Sequence, residues 1–219
     1  MMKYFRRYKD LAIEGAQAKM YDYNTREHRI DEIKKEAKEV ASHIKNGDSV
    51  LEVAAGPGYL SIELSKLGNY KISGIDISAD LVEIATGNAR EAGVKIDFLQ
   101  SNVSNMPFEE NMFNFIICVL AFKNFKEPIK ALNEMYRVLK PGSTALIMDL
   151  NRNASKQVMQ TLVKNMGLKG LNAFLARSIQ RNGAYTKREF ETFISMSEFK
   201  EFVINESEIG FSIYLRKVE

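Results

Sequence analysis

Cysteine is nearly absent from this 219-residue chain, in which Cys118 stands alone. One thiol excludes an intrachain disulfide and fits a reducing compartment. Proline is scarce, with four residues, and no Pro-, Gly- or Ser-rich stretch marks a linker. Neither charge sign dominates: 31 Lys and Arg stand against 28 Asp and Glu, a net charge of +3. Basic residues cluster only briefly, at Arg6, Arg7 and Lys9, so composition neither demands nor excludes nucleic acid. No apolar run approaches the roughly 20 residues that span a bilayer. The start, Met1-Met2-Lys3-Tyr4-Phe5-Arg6, lacks the apolar stretch of a signal peptide. These absences lead us to expect a cytoplasmic protein. What is present is a chain with 45% hydrophobic residues and no internal repeat, long enough to bury a core without staples.

Hydrophobic periodicity organises the rest. Residues 1–26 are aromatic and polar, with weak periodicity. Ile30, Ile33, Ala37, Val40, Ala41 and Ile44 form an amphipathic stripe that Gly47 closes. Strand and helix signals then alternate. Strands are expected at 49–54, 70–77, 95–100, 113–120 and 144–150. Helices between them carry Leu60, Leu64 and Leu67, then Leu81, Val82, Ile84 and Ala85 behind the N-cap Ser78, then Ile129, Leu132, Met135 and Tyr136 behind Pro128. Such alternation predicts an α/β fold, a Rossmann-like three-layer sandwich with helices on both faces of a mostly parallel sheet. Residues 151–183 break the rhythm with two helical stripes, one on Val158, Met159, Leu162, Val163 and Met166, the other on Leu171, Phe174, Leu175 and Ile179. Thr186 then caps a helix with Phe190, Phe193 and Ile194. Two last strands, 199–204 and 211–215, are too closely linked for a parallel crossover, so that pair is expected antiparallel and the sheet seven-stranded.

Chemistry concentrates at Glu52-Val53-Ala54-Ala55-Gly56-Pro57-Gly58-Tyr59-Leu60, between a strand and a helix. Small residues at 54, 56 and 58 let a ligand approach the backbone, and the helix start offers unpaired N–H groups. Asp76 ends the next strand, where a carboxylate can accept hydrogen bonds from both hydroxyls of a ribose. The loop alone equally suits a dinucleotide site or a tight turn without ligand.

Several ordered motifs together carry a resemblance. The 52–58 loop, Gly74-Ile75-Asp76-Ile77-Ser78, Ser101-Asn102-Val103 followed by Met106-Pro107-Phe108, Phe113-Asn114-Phe115-Ile116-Ile117, Phe122-Lys123-Asn124-Phe125, and Glu134-Met135-Tyr136-Arg137-Val138-Leu139-Lys140-Pro141-Gly142 resemble the class I S-adenosylmethionine-dependent methyltransferases, in the branch acting on small molecules. The chain departs from that pattern in five places, one of them Ser143, which stands where a second glycine follows Pro141. Ala54 stands where glycine is usual, Asn102 where an acid is usual, Asn114 where Asp is common, and Lys123 where His is frequent.

The resemblance implies one methyltransferase domain, 1–219, made of an N-terminal arm (1–28), a cofactor-binding core (29–150), a helical insertion (151–183) and a closing helix with two strands (184–219). The arm and the insertion are expected to form a lid over the acceptor site. The resemblance further implies S-adenosylmethionine as cofactor and S-adenosylhomocysteine as product. Glu52 would orient the loop, and Ala54, Gly56 and Gly58 would pack on the cofactor's amino-acid moiety. Asp76 would hold the ribose, Ile77 would lie on the adenine, and Asn102 and Val103 would read its edge. Leu120 would sit beneath the methyl. No metal is implied.

The partner would be a small-molecule acceptor, with nucleic acid and membrane not expected and a homodimer left open. A catalytic base is not fixed. Candidates are His28, Asp149 and Tyr23, each with a plain alternative: a surface role for His28, capping of the loop after the fifth strand for Asp149, and arm packing for Tyr23. Tyr21 is weighed alike as a cover for the cofactor or an arm-packing residue. Cys118, within an apolar strand, reads as a small hydrophobe. Competing functions are an RNA or protein methyltransferase, a nicotinamide-dependent oxidoreductase (against which Ser61 occupies the third glycine position) and a cofactor-binding protein without catalysis.

Overall fold

The computed structural model of the chain describes residues 10–165 and 183–219. Seven strands form one sheet: β1 (Ser49–Val53), β2 (Lys71–Asp76), β3 (Asp97–Gln100), β4 (Phe113–Val119), β5 (Leu139–Leu150), β6 (Glu201–Glu206) and β7 (Gly210–Arg216). Around it lie α1 (Ala16–His28), α2 (Ile30–Ala41), α3 (Tyr59–Ser65), α4 (Ala79–Glu91), α5 (Pro128–Val138), α6 (Lys156–Asn165) and α7 (Lys187–Ser195). The strand order is β3-β2-β1-β4-β5-β7-β6. The first five strands are parallel. β7 runs antiparallel to both β5 and β6, as the short 207–209 link requires.

The central strands are apolar because both of their faces are covered. Val50, Phe115, Ile117 and Leu146 pack with α2 and α3 residues such as Ile33, Val40, Leu60 and Leu64. Leu51, Val53, Ile116, Cys118 and Ile147 face the opposite way, toward Leu132, Met135, Phe190 and Ile194 on α5 and α7. Helix starts follow local chemistry. Ser78 Oγ accepts from Leu81 N–H at 3.0 Å. Thr186 and Glu189 form a reciprocal capping box at α7.

Two expectations need correction. Residues 1–26 read as weakly periodic with no helix assigned, yet Ala16–His28 forms α1. That helix buries only Ala18 and Thr25 fully, so no apolar stripe marks it in the sequence. β5 begins at Leu139 rather than 144, because Leu139 pairs with Phe113 across an irregularity in the ladder. In the insertion, α6 carries the start of the first stripe, with Met159 and Val163 buried and Val158 partly buried. Met166 and the whole second stripe, Leu171, Phe174, Leu175 and Ile179, lie outside the described residues.

The chain passes from β1 to β2 and β3 on one side, then returns to β4 and β5 on the other. The ends of β1 and β4 therefore diverge around a crevice, the place where open parallel sheets hold ligands.

Candidate functional site

A cleft of about 780 Å³, its open mouth included, occupies that crevice. Its walls come from the ends of three strands: Val53 and Ala54 after β1, Ile75, Asp76 and Ile77 at β2, and Val119 and Leu120 after β4. The turn Ser101-Asn102-Val103 closes one end. Asp10, Leu11, Ile13 and Tyr21 of the arm line the outer side.

The loop after β1 is shaped by three left-handed residues: Ala54 at φ 58°, Gly56 at φ 54° and Gly58 at φ 80°. Glycine adopts this region freely, whereas alanine is strained there. A Cβ on Gly56 would lie 3.3 Å from Tyr21 Cε1, and one on Gly58 would lie 2.7 Å from Phe98 Cζ. The two glycines thus have different duties. Gly56 keeps the cleft wall thin, and Gly58 lets α3 and the loop settle on β3.

Asp76 is the hinge of the site. Its Oδ2 accepts from Gly56 N–H at 2.8 Å and its Oδ1 from Ser78 N–H at 2.9 Å. The carboxylate thereby ties the glycine loop to the start of α4. Burial raises its pKa, opposed by these N–H donors. Each oxygen keeps a lone pair after these bonds. Behind the loop, Glu52 accepts from both Ser61 N–H (3.0 Å) and Ser61 Oγ–H (2.5 Å). It fixes the first turn of α3, and burial pushes its pKa up to about 7. Glu52 and Gly58 do not line the cleft itself. Asn102 does, but its Oδ1 accepts from Ser104 N–H at 2.8 Å, an Asx turn that shapes the loop.

A family model described as a methyltransferase domain matches residues 50–142. Those residues contain β1 through the start of β5, and thus the loop, Asp76 and the Asn102 turn.

The ubiquinone/menaquinone biosynthesis C-methyltransferase of Bdellovibrio bacteriovorus is 36% identical over 114 residues, 51% of this chain and 48% of that protein. The chain spans about half the length of the curated relatives it matches. A crystal structure from Methanococcus maripaludis, of the S-adenosyl-L-methionine-dependent methyltransferase type, superposes with a TM-score of 0.77 at 21% identity, over 97% of this chain and 95% of its own. The plantazolicin methyltransferase BpumL, in complex with a desmethyl-plantazolicin analogue and S-adenosylhomocysteine, superposes at 0.70 with 18% identity, over 92% of this chain and 88% of that one.

Within the matched region and its flanks, the three candidate bases part company. Tyr23 is 58% exposed on α1 and His28 is exposed at the end of the same helix; neither lines the cleft. Asp149 is fully buried and paired with Lys123, and it too lies behind the cleft wall. Tyr21, by contrast, faces Gly56, and burial raises the pKa of its hydroxyl. Cys118 is buried among apolar neighbours that hold its thiol protonated. Sequence reasoning missed the 10–15 strap, whose sequence carries no periodic signal. Asp10 N–H donates to Asn124 O, and Asp10 Oδ1 accepts from Lys126 N–H. At the other end, the Glu14 carboxylate accepts from Ala79 N–H and Asp80 N–H, each at 3.1 Å.

Proposed function

We propose that this protein transfers a methyl group from S-adenosylmethionine to a small-molecule acceptor. The observation that carries the reading is the convergence of the glycine loop, Asp76 and the 101–103 turn on one cleft at the sheet's switch point. The free lone pairs of Asp76 hold the two ribose hydroxyls. Ile77 and Val103 enclose the adenine, with Asn102 at its edge. Ala54 and Gly56 admit the amino-acid moiety against bare backbone, with Gly58 and Glu52 fixing the loop behind them. Leu120 lies under the methyl. The donor's sulfonium supplies an already activated methyl group.

What the protein adds is alignment and dryness. An in-line displacement needs nucleophile, carbon and leaving group near collinear, and positioning supplies much of the rate. The strap bearing Leu11 and Ile13 excludes water from the cleft. Of the ionisable side chains among the described residues that line the cleft, Asp10 and Asp76 accept from backbone N–H groups and the Tyr21 hydroxyl has its pKa raised by burial, which favours an acceptor that reaches the site already nucleophilic over one deprotonated there. The acceptor is a small molecule, a reading supported by the likeness to a ubiquinone/menaquinone biosynthesis C-methyltransferase. The described residues include no helix long and apolar enough to cross a membrane, and with the single buried thiol we place the protein in the cytoplasm.

Titration calorimetry with S-adenosylhomocysteine and, separately, NADH tests the reading. One equivalent of S-adenosylhomocysteine should bind and NADH should not. Binding of NADH alone would overturn it in favour of an oxidoreductase.

A further inference from the structure

Lys123 and Asp149 form a buried ion pair that the binding scheme above does not use. Their side chains are 6% and 0% exposed, with Lys123 Nζ 3.3 Å from Asp149 Oδ1. Asp149 Oδ2 also accepts from Lys123 N–H at 2.8 Å, and Oδ1 accepts from Leu150 N–H at 2.7 Å. Neither side chain lines the cleft, so neither can take a proton from a reactant. A buried ion pair is also a poor source of stability, because desolvating two charges offsets their attraction. The pair needs another explanation.

Leu120 supplies it. This branched residue has φ 54°, a region unfavourable for all residues but glycine and a few short polar ones. Such a conformation persists only where the surroundings over-determine it. Here both of its backbone polar groups are held. Leu120 N–H donates to Met148 O on β5 at 2.7 Å, and Leu120 O accepts from Lys123 Nζ. Lys123 is itself fixed by Asp149, which ends the same strand as Met148. Leu120 lines the cleft and also packs against the small cluster formed by Leu150, Ala154, Met159 and Ala184. It is a strained wedge between the cofactor site and the segment bearing α6.

We propose that Lys123 is a positioning residue: its ammonium, neutralised by Asp149, holds the Leu120 peptide left-handed and so sets the surface against which the reacting methyl rests. This rests on the methyltransferase reading. Without the ammonium, the Leu120 carbonyl loses its buried donor and the peptide relaxes toward φ below zero. The side chain then swings out of its place between cleft and α6. Cofactor binding, carried by Asp76 and the glycine loop at the other end of the cleft, stays.

The test needs no acceptor. S-adenosylmethionine carrying ¹³C in its methyl group is bound to the wild-type protein and to Lys123→Met, with affinity measured by calorimetry and the methyl resonance by NMR. The expected result is an affinity within about threefold of wild type and a methyl resonance that is shifted or broadened. Retained affinity with the wild-type resonance overturns the proposal alone. A wild-type protein that binds no S-adenosylmethionine overturns the methyltransferase reading, and this proposal with it. Should Lys123→Met fail to fold for want of a partner to Asp149, Lys123→Gln keeps an N–H donor without the charge. It is expected to preserve the wild-type resonance, and a displaced resonance in that variant would count against the hydrogen bond to Leu120.

Discussion

Asp76 and Glu52 are both buried carboxylates within the matched region, residues 50–142, and their surroundings give them opposite uses. Asp76 has N–H donors on each oxygen and spare lone pairs facing the cleft. On the proposed reading, an Asp76→Ala protein would lose two charge-assisted bonds to the ribose, each worth about 1.5–3 kcal/mol. It also loses the tie between loop and α4. Calorimetry should show the affinity for S-adenosylhomocysteine weakened by at least about a hundredfold; an unchanged affinity would remove Asp76 from the site. Glu52 is instead held near a pKa of about 7, against an ordinary 4.5, chiefly by desolvation. The folded pKa is raised, so between pH 4.5 and 7 the native state keeps a proton that the unfolded state has lost. Stability therefore falls as pH rises through that window, and the penalty stays above it. Glu52→Gln keeps an acceptor for Ser61 but cannot ionise. Urea unfolding should find the variant more stable than wild type at pH 8, by up to about 3 kcal/mol, with the two alike near pH 4.5. Equal stability at both pH values would show that Glu52 ionises without penalty.

Among the elements, the strap at 10–15 couples the arm to the cleft. Its Glu14 carboxylate caps the start of α4 through Ala79 and Asp80, where a negative charge also meets the positive end of the helix. Ser78 Oγ–H donates to Ile13 O at 2.7 Å, so the strap is held by the same residue that caps α4. Glu14→Ala should lower stability by about 1 kcal/mol, the usual worth of a cap. It should also speed S-adenosylhomocysteine dissociation several-fold in stopped-flow measurements, because Leu11 and Ile13 would no longer be pinned over the cleft. An unaltered dissociation rate would mean that the strap does not gate exchange. α1 behind it was illegible in the sequence for a physical reason. It lies on the surface, with Arg26 bonded to Tyr59 and Asn88 and few apolar contacts, so periodicity had nothing to register. α2, with Ile33, Ala37 and Val40 buried, was plain.

At the scale of the molecule, a ligand that binds only the folded state stabilises it by mass action. S-adenosylhomocysteine at a hundred times its Kd should add about 2.7 kcal/mol. For a chain of this size, that corresponds to a rise in Tm of roughly 5–10 °C. Scanning calorimetry would check it, and no rise at that concentration would mean that the folded state does not bind the ligand in preference to the unfolded one. Because the cleft sits where the sheet order reverses, the stabilisation should couple β1, β2 and β4 rather than the β6–β7 edge.

The sequence by itself determined the layer architecture, since buried parallel strands must be apolar throughout and helices between them must be amphipathic. It also determined the antiparallel final pair, because a short link permits no crossover, and it marked Ala54, Gly56, Gly58 and Asp76, whose chemistry is local to one turn and one strand end. Only the tertiary structure decided which side chains share the cleft. Tyr21 faces Gly56 while Tyr23, two residues on, is exposed; that choice depends on how α1 docks and leaves no trace in composition. Asp149 and Lys123, 26 residues apart, meet only because β4 and β5 pair in register. Their burial and pairing keep Asp149 out of the cleft lining, an outcome set by distance and solvent exclusion rather than by residue type.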